Sequence, residues 1–154
     1  MHVIAAKAVA FNEALSDEFV VYQKQVIKNA KTLAETLQEG GLDLITGGTD
    51  THVLLVDLRK KKVTGATAET VLGEGNIVCN KNGIPFDSEK PTITSGIRLG
   101  TPAATTRGFK ETQFKQVGSW ILRILDNVHS ERSSQVNSKV KKEVIELCSK
   151  FPIY

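Results

Sequence analysis

Cysteine and histidine are scarce in this chain, with two cysteines and three histidines among 154 residues. The cysteines, Cys79 and Cys148, lie far apart, and neither has a second cysteine or a histidine at the spacing of metal ligands. The sequence therefore predicts no metal site. Two free thiols are typical of a reducing compartment, so we expect a cytoplasmic location or, after processing, an organelle matrix.

Aromatic residues are also few, at 6% of the chain, with one tryptophan and two tyrosines. The formal net charge is only +3, and the lysines and arginines are interspersed with acidic residues. Nucleic-acid-binding surfaces combine a basic stripe with interleaved aromatic rings, and no such pattern is present, which argues against a nucleic-acid partner. The one basic run, RKKK at residues 59–62, is expected to be a solvated loop.

Long apolar runs are missing as well. The apolar stretch at residues 3–11 is much shorter than the ~20 residues that span a bilayer. Lys7 lies inside this stretch, whereas a signal peptide carries its positive charge ahead of the apolar core. We therefore expect no secretory signal and no membrane partner.

Two helices are predicted at the start of the chain. Residues 2–15 form an alanine-rich helix that is apolar on nearly every side and has no preceding chain to cover it, which predicts that the chain is part of something larger. Ser16 is a good N-cap for a second helix that runs to about residue 39 and is ended by Gly40 and Gly41.

Three further helices follow from apolar spacing and capping residues. Thr64 is expected to cap a short helix over residues 66–72. Residues 110–128 form a longer amphipathic helix, and a last helix begins at Ser133 or Ser134 and is terminated by Pro152. The apolar stripes of the two long helices are core residues, and we assign them no chemistry.

Short β-prone segments lie between these helices, at residues 42–45, 52–58, 77–79 and 97–99. Gly47 and Gly48 follow the first of them, and a tight turn is favoured there over a phosphate cradle because no Gly-Lys-Ser/Thr follows. Short strands beside helices that cover one face predict an α+β fold with a small, largely antiparallel sheet.

Arg98 is the strongest candidate for a binding residue. It lies in the sequence TSGIRLGTPAATTRGF at residues 94–109, on a predicted strand between Gly96 and Gly100. Its guanidinium offers a planar fork of donors for a carboxylate or phosphate, and the glycines allow a close approach by backbone or ligand. The alternative is a structural ion pair with a nearby Asp or Glu.

Asn82 is a second candidate, in the loop NKNGIPFD at residues 80–87. Its amide, which both donates and accepts hydrogen bonds, suits a heterocyclic ligand. Asparagine in a loop rich in turn formers also closes Asx turns, and the residues alone favour that reading.

The segment at residues 94–109 resembles the substrate-carboxylate segment of serine hydroxymethyltransferases, which interconvert serine and glycine with pyridoxal phosphate and tetrahydrofolate. Further motifs match the same family in order and spacing: HVIAAKAVAF at residues 2–11, GGTD at 47–50, VDLR at 56–59 and NKN at 80–82. The resemblance covers essentially the whole chain, but only about the last third of a family member.

The resemblance implies roles for particular residues. Arg98 would bind the α-carboxylate of the amino acid, and Asn82 would contact the pterin ring of the folate. A Ser-Pro-Phe-like tripeptide of the family's folate site aligns with Lys90, Pro91 and Thr92, of which only the proline is kept. Gly83 stands where the family usually has Ser or Thr, so the hydrogen bonding of that loop is expected to differ.

The resemblance also implies a domain organisation like that of fold-type I pyridoxal-phosphate enzymes. Residues 1–15 would belong to the tail of the large domain, residues 16–41 would form the connecting helix, and residues 42–154 the C-terminal small domain. Family members are homodimers or tetramers.

No Thr-Thr-His-Lys cofactor motif occurs in the sequence, and the family's other cofactor-binding and catalytic residues are missing too. The chain alone is therefore predicted to be inactive. The alternatives are a non-catalytic α+β module that binds a small carboxylate, and a subunit that complements a separate N-terminal half.

Overall fold

The computed structural model describes residues 1–153 and has the predicted α+β architecture. The helices in this range are α1 (His2–Ala14), α2 (Asp17–Glu39), α3 (Gly65–Glu74), α4 (Pro102–Thr106), α5 (Glu111–Leu125) and α6 (Ser133–Ser149). The strands are β1 (Asp43–Leu44), β2 (Val53–Asp57), β3 (Asn80–Asn82) and β4 (Gly96–Gly100). They form one sheet in the order β1-β2-β4-β3, and every neighbouring pair is antiparallel.

The sheet has two unlike faces because side chains alternate along each strand. Leu54, Val56, Ile97 and Leu99 point into the core, which they share with apolar residues of α2, α3, α5 and α6. The other face, which we call the open face, carries Val53 and Leu55 of β2, Asn80 and Asn82 of β3, and Arg98 of β4. These five residues are all at least partly exposed.

Two of the predicted helix starts are confirmed by their capping contacts. The Ser16 hydroxyl accepts a hydrogen bond from the Phe19 N–H at 3.1 Å, and the Thr64 hydroxyl accepts one from the Thr67 N–H at 3.2 Å. Each satisfies a backbone donor that the first turn of a helix leaves without an intrahelical partner.

The predicted strand at residues 77–79 is wrong. The strand begins three residues later, at Asn80, in a segment predicted to be a loop. Ile77 is 8% exposed and packs in the core, whereas Val78 is 92% exposed. Pairing with β4 decides the position, because Asn80 to Asn82 are the residues opposite Arg98 to Gly96.

The short helix α4, which begins with Pro102, was not predicted. Proline at the first helical position costs no hydrogen bond and has a suitable φ. Its hydroxyl-rich sequence PAATT carries no apolar periodicity that would have indicated a helix.

The basic run at residues 59–62 lies at the surface but is not simply solvated. Arg59–Lys61 forms a single 3-10 turn. Arg59 pairs with Asp57 at 2.6 Å, Lys60 with Asp43 at 2.8 Å and Lys61 with Asp126 at 2.6 Å. The run therefore links the ends of β1, β2 and α5.

Helix α1 is present as predicted, and none of its residues is buried. Val3, Ile4, Val9 and Phe11 are each more than half exposed. The last two-thirds of α2, in contrast, contributes Ala30, Leu33, Ala34 and Leu37 to the core.

Candidate functional site

Arg98 stands in the middle of β4 with its side chain exposed on the open face. Its Nε donates a hydrogen bond to Asn80 Oδ1 at 3.2 Å. No carboxylate of residues 1–153 lies within 4.0 Å of its nitrogens, so the predicted alternative of a structural ion pair is not realised there. Asn80 thus holds the guanidinium at Nε, and its two terminal nitrogens are left to donate to another acceptor.

The strand register explains the surroundings of Arg98. Asn80 lies directly opposite it on β3, and Leu55 lies opposite it on β2. Residues opposite each other in antiparallel strands project from the same face. The guanidinium is therefore flanked by an amide on one side and an aliphatic side chain on the other.

The two glycines beside Arg98 differ in what they allow. A β-carbon on Gly96 would lie 2.6 Å from Ile84 Cγ2, 2.7 Å from the Val56 carbonyl oxygen and 3.0 Å from the Asn82 carbonyl oxygen. At Gly96 the protein itself fills the space. At Gly100 the nearest atom would be the His52 carbonyl oxygen at 3.5 Å, an ordinary contact.

Asn82 ends β3 opposite Gly96, two residues from Asn80 on the same face of the sheet. Its side chain is half-buried, and Nδ2 donates to the carbonyl of Gly83 at 2.8 Å. The structure thus places Asn82 and Arg98 on adjacent strands of the open face. Sequence reasoning had placed Asn82 in a loop.

Lys90, Pro91 and Thr92 lie in an exposed turn ahead of β4. The turn is closed by the backbone N–H groups of Ile93 and Thr94, which donate to the Lys90 carbonyl at 2.8 and 2.9 Å. These three residues are not on the sheet with Arg98 and Asn82 but in the connection between their strands.

Asp87 organises that connection, although sequence reasoning did not single it out. Its carboxylate accepts hydrogen bonds from the Ser95 hydroxyl at 2.6 Å, the Ser95 N–H at 2.9 Å, the Glu89 N–H at 3.0 Å and the Ile84 N–H at 3.2 Å. These donors, the Ser95 hydroxyl foremost, hold the pKa of Asp87 far below its usual value. The only sequence signal was an aspartate two residues after a proline, a common turn pattern.

The start of β4 is fixed from a second direction by helix α3. The N–H groups of Gly65 and Ala66, the first residues of α3, donate to the carbonyls of Thr94 and Ile93 at 2.9 Å each. Thr94 is 4% exposed and has a left-handed backbone at φ 59°. A buried residue in that conformation persists where its surroundings hold it firmly.

A comparison with known proteins agrees with the motifs on these strands. Residues 1–121 match the family model described as serine hydroxymethyltransferase. The chain belongs to the serine hydroxymethyltransferase family. Curated serine hydroxymethyltransferases from Ruegeria pomeroyi and Paramagnetospirillum magneticum are each 59% identical to it, and one from Rhizobium rhizogenes is 56% identical.

These alignments cover 100% of the chain but only 36%, 36% and 37% of the three relatives. The chain therefore spans little more than a third of the length of the family members that it matches.

The residues described here do not fit pyridoxal phosphate, the cofactor that the family resemblance implies. One cavity, of about 500 Å³ between α4, α5 and α6, is lined by aromatic rings but has no lysine in its lining. Another lies along α2 and the loop at residues 46–51, where Lys31 lines it, and this cavity has no aromatic lining. Lys31 Nζ is moreover 3.4 Å from Asp50. Neither cavity therefore combines a free lysine with an aromatic ring to hold the cofactor.

The glycines and the cysteine singled out in the sequence lie in places that the fold explains. Gly47 and Gly48 have φ of 67° and 156° and form the predicted turn. Burial raises the pKa of the half-buried Cys79 thiol to about 11.

Within residues 1–153 there is no cluster of three or more His, Cys, Asp or Glu side chains suited to a metal ion. The helices of that range include none long and apolar enough to cross a membrane.

Proposed function

We propose that this chain provides the substrate-carboxylate arginine and part of the folate site of a glycine/serine hydroxymethyltransferase. The reaction converts serine and tetrahydrofolate into glycine and 5,10-methylenetetrahydrofolate, in the cytoplasm. The observation that carries the proposal is Arg98: exposed on the open face, held at Nε by Asn80, and not paired with a carboxylate of residues 1–153.

Arg98 is the proposed ligand of the amino acid's α-carboxylate. A guanidinium held at Nε can present its terminal nitrogens to both oxygens of a carboxylate, which fixes orientation as well as charge. Lysine at this position would keep the charge but lose the two parallel hydrogen bonds. Orientation matters because it decides which bond of the α-carbon is presented for reaction.

Asn82 is the proposed contact for the pterin ring, and Lys90, Pro91 and Thr92 are proposed to line the folate site. The proximity of Asn82 and Arg98 on adjacent strands supports this, since one sheet face would then carry both substrates. Asn82 Nδ2 donates one of its two hydrogens to the Gly83 carbonyl, so its second hydrogen and Oδ1 remain for a ligand.

The cofactor and the catalytic groups are proposed to lie in the part of the enzyme outside this chain. The domain division at residues 1–15, 16–41 and 42–154 belongs to the same proposal, as does the homodimer or tetramer. The isolated chain should therefore be inactive and retain no pyridoxal-phosphate absorbance after dialysis. A stoichiometric, borohydride-reducible adduct at one of its lysines would contradict this.

A chimeric enzyme tests the proposal. Residues 1–154 would replace the matching segment of the Ruegeria pomeroyi relative, and the conversion of serine to glycine would be measured. In the whole enzyme the proposed pair of Arg98 with the serine carboxylate would be enclosed, and removing one partner of such a pair by Arg98→Ala typically costs about 2–5 kcal/mol. At 1.4 kcal/mol per decade, serine binding should weaken about 30-fold to a few thousand-fold.

Two variants control this experiment. Arg98→Lys should recover only part of the lost affinity, because the fork is missing. Arg132→Ala removes an exposed arginine at the start of α6 and should leave serine binding unchanged. Serine affinity that survives Arg98→Ala would refute the role of Arg98.

A further inference from the structure

The connection between β3 and β4, residues 83–95, is closed by a single carboxylate. Ile84 lies at its beginning, Glu89 in its middle and Ser95 at its end, and all three donate to Asp87. Ser95 does so twice, through its N–H and its hydroxyl. The two ends of the connection are thereby tied to one another through one side chain.

The two carboxylate oxygens of Asp87 accept different hydrogen bonds. Oδ2 accepts from the Ile84 and Ser95 N–H groups, which join the ends of the connection. Oδ1 accepts from the Glu89 N–H and the Ser95 hydroxyl. Each oxygen of the ionised carboxylate thus accepts two hydrogen bonds. Hydrogen bonds to a charged acceptor are about twice as strong as neutral ones.

The position of this network matters for the open face. Asn82 precedes Ile84 by two residues, and Gly96 follows Ser95 directly and pairs with Asn82. The turn at Lys90, Pro91 and Thr92 lies between the segments that Asp87 joins. A change at Asp87 would therefore move the proposed folate residues relative to Arg98, without any direct contact between Asp87 and Arg98.

We propose that Asp87 is the positioning residue of the folate-binding connection: by joining Ile84, Glu89 and Ser95, it presets where Asn82 and the residue 90–92 turn stand beside Arg98. The ligand in this inference rests on the proposed function, whereas the ordering of residues 83–95 does not. A loop ordered before binding loses less conformational entropy when the ligand arrives, so its ordering raises affinity.

Asp87→Asn is the first test. It keeps the shape of the side chain, but its NH₂ group faces N–H donors where an oxygen had accepted them. In the 154-residue chain, hydrogen exchange at the amides of Ile84, Glu89 and Ser95 should accelerate by about tenfold or more, because each amide loses a charge-assisted hydrogen bond. Exchange in α5 should not change. Unchanged exchange in residues 83–95 would overturn the proposal.

Kinetics of the chimeric enzyme separate positioning from general stability. Asp87→Asn should raise KM for tetrahydrofolate about tenfold and leave KM for serine within about twofold. Glu89→Gln is the matched control, since its carboxylate lies in the same connection and only its backbone N–H contacts Asp87. If both KM values rise together with a loss of thermal stability, Asp87 is merely structural and the proposal fails.

Ser95→Ala is a milder variant, for use if Asp87→Asn does not fold. It removes only the hydroxyl contact and should give a smaller effect of the same kind. Where Asp87→Asn does fold, combining it with Ser95→Ala should accelerate exchange in residues 83–95 by less than the product of the two single effects, because the two changes remove one shared contact.

The test also separates this inference from the proposed function. If Asn82→Ala raises KM for tetrahydrofolate but Asp87→Asn does not, the positioning role is wrong and the folate site stands. If neither variant changes that KM while exchange in residues 83–95 still accelerates, Asp87 orders the connection and the folate assignment is wrong.

Discussion

Gly65 lies directly against Thr94. Its N–H donates to the Thr94 carbonyl at 2.9 Å, and a β-carbon added to it would lie 2.1 Å from Thr94 Oγ1. It would also lie 2.4 Å from the carbonyl oxygen of Gly96, the first residue of β4. The first turn of α3 therefore packs directly against the backbone that leads to Arg98. Only glycine permits this approach, because a side chain at position 65 would overlap that backbone.

Gly65→Ala should destabilise the chain by about 1–3 kcal/mol, because the methyl group cannot be placed without moving a backbone carbonyl. Gly73→Ala is the matched control in the same helix, with nothing within 4 Å of the added β-carbon. It should stabilise the chain by about 0.4–1 kcal/mol, since Gly73 has no positive φ and alanine has less conformational entropy to lose on folding than glycine. Urea denaturation of both variants measures the difference, and equal effects would contradict the prediction.

Asn29→Ala should cost about 2–3 kcal/mol. Asn29 is fully buried, and its Nδ2 donates to Thr105 Oγ1 at 2.8 Å and to the Phe109 carbonyl at 3.0 Å. Removal leaves the Phe109 carbonyl without this donor, and Thr105 Oγ1 keeps only the hydrogen bond that it donates to the Thr101 carbonyl at 2.8 Å. Asn12→Ala, on the exposed α1, should change stability by less than about 0.5 kcal/mol. A loss in Asn29→Ala no larger than in the control would refute this.

Stability should fall in acid partly because of Glu111. The Lys28 ammonium, with help from the Gln25 amide, lowers the pKa of Glu111 to about 2. A carboxyl group with a lowered pKa in the folded state stabilises the fold above its unfolded pKa of ~4.3, and this contribution is lost as the pH falls towards the folded value. Glu111→Gln should flatten the curve of unfolding free energy between about pH 5 and pH 2. An unchanged slope in that range would contradict the assignment.

Phe86 has an unusual combination of full exposure, 101%, and a left-handed backbone at φ 57°. Phe86→Asn should therefore stabilise the isolated chain by up to about 1 kcal/mol, because asparagine tolerates this conformation better. Val78→Asn is the control, with 92% exposure and no positive φ, and should change stability by less than about 0.5 kcal/mol. Destabilisation by Phe86→Asn would show that the ring makes a contact that stabilises the fold.

Local signals in the sequence were enough for most of the fold. Ser16 and Thr64 are helix caps whose side chains act on the next three residues, so their effect is visible without tertiary information. Arg98 was placed correctly on its strand because the apolar neighbours Ile97 and Leu99 alternate with it.

The errors arose where distant segments decide the outcome. Residues 77–79 have the higher β-propensity, but β3 forms at Asn80–Asn82 because β4 pairs there. Asp87 was missed for the same reason. One of its partners, Ser95, lies eight residues away and contributes through both its backbone and its hydroxyl.

The candidate site was only partly predictable from the residues. Its candidate binding residues, Arg98 and Asn82, came from residue chemistry and family resemblance. The residue that anchors Arg98 did not, because Asn80 reaches Nε only through the register of β3 against β4. Hydrogen bonds across strands depend on a pairing that no short stretch of sequence specifies.

The alternation along β4 has a consequence for mutational screens. Ile97 and Leu99 are buried, whereas Arg98 between them is exposed. A library of substitutions scored for protein abundance should be depleted at the two outer positions and tolerant at the central one. The proposed role of Arg98 predicts that the same library, scored for growth that depends on the full-length enzyme, is depleted at all three. Three consecutive codons would then separate the requirement for folding from the requirement for chemistry.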